Sequence, residues 1–258
     1  MADYQCITYE EKGGAAYLTI NRPPLNWLDI ATMREMNEAL DQVLAAGAEL
    51  KLLVIQAAGE KAFSVGVDVA DHTEDKVGTM IGVFHGIFRR LDRLEIPTLA
   101  AVKGAVLGGG CEVALFCDMI VAAENIKIGQ PEIKLAVFPP IAAAALPAII
   151  GSKKAYEIVL GGDALRAPEA LACGLVNKVV PVEQFDDEVA TFVSRFTSLS
   201  GSALRSTKRA LRAAAGKPFA AALDAVEDLY LNDCMKNHDA HEGLSSFLEQ
   251  RKPEWQNK

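Results

Sequence analysis

The sequence predicts an α/β fold, and three observations predict it. The short apolar run Leu50 to Ala57 reads as a strand covered on both faces, and Thr98 to Val102 as another strand. Stretches with apolar residues at helical spacing lie between them, so strands and helices alternate through the first part of the chain. From Pro140 onward long amphipathic stretches take over, which predicts a helical last third.

In chain order, Tyr4 to Tyr9 and Ala15 to Ile20 read as two strands joined around Gly13 and Gly14, a hairpin opening the domain. Two prolines make Asn21 to Trp27 a loop. Asp29 is placed to cap a helix whose stripe of Met33, Met36, Leu40, Val43 and Leu44 runs to Gly47. After the strand Leu50 to Ala57 and a turn at Gly59, Phe63 to Val69 reads as another strand. Gly66 within it, followed by Asp68, Asp71 and His72, predicts either a close backbone approach with a polar rim or a bulge with a solvated edge. Met80, Phe84, Ile87, Phe88, Leu91 and Leu94 mark a half-buried helix that Pro97 ends. Thr98 to Val102, Met119 to Ala122 and Ile126 to Ile128 are the remaining strands.

Between them lies KGAVLGGGCEVALFCDMIVA, Lys103 to Ala122, where three glycines lead into an apolar helix carrying Glu112. Without Cβ atoms, Gly108, Gly109 and Gly110 allow a sharp turn and close approach of a ligand to backbone N–H groups at a helix start. Among Cys111, Val113, Ala114 and Leu115, Glu112 is expected to be poorly solvated, which raises a carboxyl pKa toward the range of a general acid or base. By itself the stretch is equally compatible with a packing turn and a dipole-complementing acid. Glu132, in the proline-bent Gln130-Pro131-Glu132 loop, is a second acid. Two carboxylates with glycine N–H donors between them suit chemistry in which one group handles a carbon-bound proton and the other a water.

Length and composition bound the alternatives. The 258 residues are 50% hydrophobic and 23% charged, enough for one large core. A formal net charge of -8 argues against nucleic acid as a main partner. No run suggests a membrane span or a signal segment, so a cytoplasmic protein without a membrane partner is expected. The 5 scattered cysteines indicate neither a disulfide framework nor a zinc site. Cys111 reads as a buried thiol, His238 and His241 as surface residues without a third ligand, and no metal is expected. Arg22, Lys61, Lys76, Arg251 and Lys252 are candidate phosphate contacts, with solvated surface cations as the default.

LTINRP, AFSVGVDV, VKGAVLGGGCEVALFCDMIVA, IGQPEIKL, ACGLVNKVVP and EGLSSFLEQRKPEW together resemble the crotonase superfamily, the enoyl-CoA hydratases and isomerases. The resemblance covers nearly the whole chain. It implies a crotonase-like spiral of strand-strand-helix units over 1-199, binding an acyl-CoA thioester, and a helical region over 200-258 that assembles homotrimers, commonly stacked as homohexamers. It implies that the backbone N–H groups of Val67 and Gly109 form an oxyanion hole and that Glu112 and Glu132 activate water and move the α-carbon proton. Val65, Gly66 and Asp68, with Pro24, Leu25 and Asn26, would line the channel for coenzyme A and acyl chain, and Gly108 and Pro140 would complete the substrate contacts. Coenzyme A arrives as part of the substrate, so no separate cofactor is implied.

Retention of both acids favours water addition over double-bond isomerisation or lyase chemistry, and over a non-catalytic subunit that binds acyl-CoA. Departures from the family pattern narrow the substrate. Linear-chain hydratases resemble PGAGG where this chain has Pro139-Pro140-Ile141-Ala142-Ala143, and Val65 and Val67 stand where alanine is common. The loop after Asp68 reads VADHTEDK in place of a lysine-bearing version. An altered pocket with both acids kept resembles the cyclohexa-1,5-diene-1-carbonyl-CoA hydratases, with a general short-chain enoyl-CoA hydratase as the alternative.

Overall fold

The computed structural model describes residues 4–258. A hairpin, β1 (Ile7–Lys12) and β2 (Ala15–Ile20), turns at Gly13 and Gly14 and feeds α1 (Ile30–Ala46), whose first turn is capped by Asp29 accepting from the Thr32 N–H at 2.8 Å. Then come β3 (Leu52–Ala57), β4 (Ala62–Ser64) and α2 (Val77–Arg93), followed by β5 (Thr98–Val102), β6 (Ala105–Leu107) and α3 (Gly109–Phe116). The next pair is β7 (Met119–Ala123) and β8 (Lys127–Gly129), leading to α4 (Pro140–Ile150) and α5 (Ser152–Gly161). A short β9 (Leu165–Arg166), α6 (Ala167–Ala172) and β10 (Lys178–Val180) precede four helices, α7 (Phe185–Thr197), α8 (Gly201–Ala214), α9 (Phe219–Asn232) and α10 (His238–Leu248).

Each strand-strand-helix turn lays one strand in each of two sheets, which is the predicted spiral. The larger sheet has the order β1-β2-β3-β5-β7-β10 and the smaller β4-β6-β8-β9. From β2 to β10 the larger sheet is parallel and covered on both faces. Leu53, Ile55, Ala100, Val102 and Ile120 join the core beneath α1 and α2, while Leu52, Val54, Leu99, Ala101 and Val121 pack against Phe185, Val189 and Phe192 of α7. Burial on both faces is why Leu52 to Ile55 and Leu99 to Val102 are apolar at consecutive positions instead of alternating.

Three expectations are corrected. The first strand begins at Ile7, beyond Tyr4 to Tyr9, with the Gln5, Cys6 and Ile7 N–H groups all donating to the Glu35 carboxylate on α1. The strand predicted from Phe63 to Val69 stops at Ser64, because Gly66 has a positive φ of 102° and Asp68 starts a 3-10 turn by accepting from the Ala70 N–H. The last third is not wholly helical, since β10 pairs with β7 at the sheet edge and is too short at 3 residues to show a period. Among the described residues no helix is long and apolar enough to cross a membrane.

Helix α8 is tied to the sheet by Lys208, whose Nζ donates to the Ile96 carbonyl at 2.8 Å and to the Asp118 carboxylate at 2.5 Å. Asp118 also accepts from the Thr98 N–H and hydroxyl. Lys208→Met keeps the stem and removes these charge-assisted bonds, and is expected to cost about 2 kcal/mol in denaturant unfolding; a loss indistinguishable from zero would show that the tether is unimportant.

Candidate active site

The site is assembled where three neighbouring parallel strands end. In the small sheet β4 pairs with β6 and β6 with β8, with Ser64 opposite Val106 and Leu107 opposite Gly129. The residues that follow, Val65 to Asp68, Gly108 to Glu112 and Gln130 to Glu132, therefore leave the sheet side by side at its carboxyl end, where α/β sheets bind ligands.

Glycine sets how closely these segments meet. A Cβ on Gly66 would lie 3.1 Å from both the Gly109 nitrogen and the Leu107 oxygen, and one on Gly108 would lie 2.8 Å from Glu132 Oε1. Gly108 also has a positive φ of 53° as it caps α3. The Leu28 N–H donates to the Gly66 carbonyl and the Asp68 N–H to the Leu28 carbonyl, so the chain on either side of Val67 is pinned. Among the described residues, neither the Val67 nor the Gly109 N–H donates to any acceptor. These two unpaired N–H groups therefore lie on loops that come into close contact.

Glu112 lies in the first turn of α3 and is only 2% exposed. Its Oε1 accepts from the N–H groups of Ile141 at 2.8 Å and Ala142 at 2.9 Å, in the first turn of α4. Pro140 opens that helix without an N–H to offer, and the next two N–H groups converge on one carboxylate oxygen. Oε2 has no hydrogen-bond partner among the described residues. Burial pushes the Glu112 carboxyl up to about 7, with Glu132 adding to the rise and the two N–H donors opposing it. Burial likewise raises Glu132 to about 7.

Both carboxyls border a cavity of about 860 Å³ that is lined mostly by apolar side chains. Val65, Gly66, Val67, Gly108, Gly109 and Pro140 line it, together with Trp27, Met80, Ile81, Phe84, Pro139 and the segment Lys134 to Phe138. Pro24, Leu25, Asn26 and Asp68 are not part of this wall. Asn26 is fully buried and braces the loops from behind, its Nδ2 donating to the carbonyls of Ala58 and Ala62. Leu25 accepts from the Val65 N–H. His72 lies at the cavity edge, its Nδ1 3.0 Å from the Asp68 carbonyl.

Sequence reasoning passed over Gln130. It is fully buried, and with its amide nitrogen turned toward the carboxylate it donates to Glu132 Oε1 at 3.1 Å, Oε2 at 3.2 Å and the Gly108 carbonyl at 3.3 Å. Only the strand register, which the sequence does not display, puts it there. Met80 and Phe84 were legible as apolar helix positions but not as cavity wall. Cys111 is buried and its thiol is pushed well up by that burial, as expected of a packing residue. Arg22, Lys76 and Arg251 are paired with Asp29, Asp71 and Glu242 respectively. Among the described residues no cluster of His, Cys, Asp and Glu has the makings of a metal site.

Known proteins are similar to this chain from end to end. The chain is 36% identical over 255 residues to a cyclohexa-1,5-dienecarbonyl-CoA hydratase of Thauera aromatica, covering 98% of this chain and 96% of that one. It is 32% identical over 253 residues to a short-chain-enoyl-CoA hydratase of Clostridium acetobutylicum, covering 96% of each. The crystal structure of an enoyl-CoA hydratase from Bacillus anthracis superposes with a TM-score of 0.93 at 28% identity, over 98% of this chain and 100% of that one. The sequence pattern of the enoyl-CoA hydratase/isomerase family matches residues 10–258, and the chain belongs to that family of enzymes.

Proposed function

We propose that the protein adds water to a conjugated acyl-CoA thioester, with cyclohexa-1,5-diene-1-carbonyl-CoA as substrate and no cofactor beyond the coenzyme A the substrate carries. The observation that carries this reading is the pair of desolvated carboxyls, Glu112 and Glu132, beside the free N–H groups of Val67 and Gly109 on one cavity. In this reading the two N–H groups donate to the thioester oxygen and draw electron density from the conjugated double bond. The oxygen of a water bound by the carboxyls then bonds to the electron-poor carbon. One water proton passes to the ionised carboxylate, and the protonated carboxyl gives its proton to the enolate carbon, restoring the thioester carbonyl. Each oxyanion donor is worth roughly 10²–10³ in rate.

The cyclic diene is favoured by the similarity to the Thauera aromatica protein and by Pro139 and Pro140, which stiffen the wall beside Glu112. A linear short-chain substrate is the second reading, supported by the Clostridium acetobutylicum relative. For assembly, we propose a homotrimer or homohexamer joined through the helical region 200-258. Phe219, Phe247 and Leu248 there are each more than four-fifths exposed, at 81%, 82% and 81%, which supports burial against other copies.

Crotonyl-CoA and cyclohexa-1,5-diene-1-carbonyl-CoA, offered in parallel with product mass as the readout, decide the substrate. The cyclic ester is expected to gain water faster; turnover of the linear ester alone would sink the cyclic assignment.

Glu112→Gln and Glu132→Gln test the acid–base pair. Each is expected to lower kcat by about 10²–10⁴-fold and to remove one limb of a pH–rate profile centred near neutrality. Each folded-state pKa lies above its unfolded value, so the stabilising contribution is present at low pH and lost as pH rises from 4.5 through about 7. Tm of Glu112→Gln relative to the parent should therefore increase between acid and mildly alkaline pH, and a pH-independent difference would contradict the raised pKa.

A further inference from the structure

The cavity has an inside and an outside. Around its mouth Val69, Leu135 and Phe138 are 58%, 65% and 67% exposed, whereas at its inner end Glu112, Met80 and Phe84 are 2%, 1% and 2% exposed. Phe84 is the large aromatic of that inner end. A Cβ added to Gly109 would lie 3.0 Å from Phe84 Cζ, so the tip of the ring stands against the glycine whose N–H is free.

The ring is backed by other rings. Phe84 meets Phe88 edge to face at 4.9 Å between centroids and 83° between planes, and Phe88 meets Phe116 at 5.2 Å and 79°. Phe84 and Phe88 are one turn apart on α2, and Phe116 ends α3, so the stack spans the two helices behind the site. Edge-to-face packing of this kind fixes ring orientation and adds stability beyond buried area. An acyl group whose carbonyl is held at Gly109 lies beside a wall that cannot retreat without disturbing two further rings.

We propose that Phe84, braced by Phe88 and Phe116, fixes the depth of the acyl pocket and so restricts the enzyme to compact acyl groups, a ring or a short chain, excluding long linear ones. The proposal rests on the reading that an acyl-CoA occupies this cavity. It assigns Phe84 a role in substrate selection, distinct from the proton-transfer role of the glutamates.

The test pairs binding with turnover for the full-length protein, Phe84→Ala and Phe84→Leu, after thermal unfolding has shown that each variant folds. Butyryl-, octanoyl- and decanoyl-CoA, which lack the reacting double bond, are titrated by calorimetry. The matching 2-enoyl thioesters are assayed for kcat/KM. In the parent, affinity and kcat/KM are expected to fall beyond the short esters. In Phe84→Ala each methylene admitted to the vacated space should strengthen binding by roughly fourfold, raising the decanoyl-to-butyryl ratio at least about tenfold, with a smaller rise in Phe84→Leu. Should Phe84→Ala fail to fold, the rise in Phe84→Leu alone decides the matter. A parent that binds decanoyl-CoA as tightly as butyryl-CoA, or a folded variant with an unchanged ratio, overturns the proposal. A parent that discriminates by length in binding yet hydrates neither these esters nor cyclohexa-1,5-diene-1-carbonyl-CoA supports the depth assignment and refutes the hydratase reading. Equal hydration of all lengths does the reverse.

Discussion

The site depends on the parallel register of three short strands. Ser64, Leu107 and Gly129 end β4, β6 and β8 at the same edge of the small sheet, and everything chemically interesting follows within five residues of those ends. Parallel strands deliver their carboxyl ends together, and the spiral repeats this on every turn. Glycine then converts adjacency into contact. A Cβ at Gly66 would crowd the Gly109 nitrogen and the Leu107 oxygen, one at Gly108 would crowd Glu132 Oε1, and the positive φ of both glycines disfavours a side chain there.

A second constraint is electrostatic. Glu112 enters from the first turn of one helix and is met by the first turn of another, so donors of α4 offset part of the cost of burying its charge. Pro140 shapes that meeting by contributing geometry without a competing N–H. What remains is a carboxyl balanced near neutrality, with Glu132 balanced likewise and braced by Gln130. Two carboxyls raised to about 7 suit general acid–base chemistry near neutral pH.

Much of this was legible in the amino-acid order. The apolar run at Leu52 declared a doubly covered strand and the run at Thr98 a strand, Asp29 declared a helix start, and the glycines before Glu112 declared a tight turn at a helix mouth. The family-like segments pointed to the spiral and to a set of substrate and oxyanion residues; of these, Val65, Gly66, Val67, Gly108, Gly109 and Pro140 lie on one cavity wall and Pro24, Leu25, Asn26 and Asp68 do not. What stayed hidden depended on long-range pairing. Gln130 looks like any loop amide until the register sets it under Glu132, and Asn26 looks like a site residue until its amide is seen satisfied by Ala58 and Ala62. β10 was missed because a strand of 3 residues carries no period, and Phe84 because a helix stripe does not say which of its members faces a void.

The central claim is that the backbone of Val67 and Gly109 polarises the thioester carbonyl. Vibrational difference spectroscopy of an acyl-CoA carrying a 13C label at that carbonyl, free and bound, reads this polarisation directly. The account predicts that the C=O stretch moves to lower frequency on binding, in the parent and in Glu112→Gln alike, because the donors are main-chain groups. An unshifted carbonyl in the bound state would contradict it.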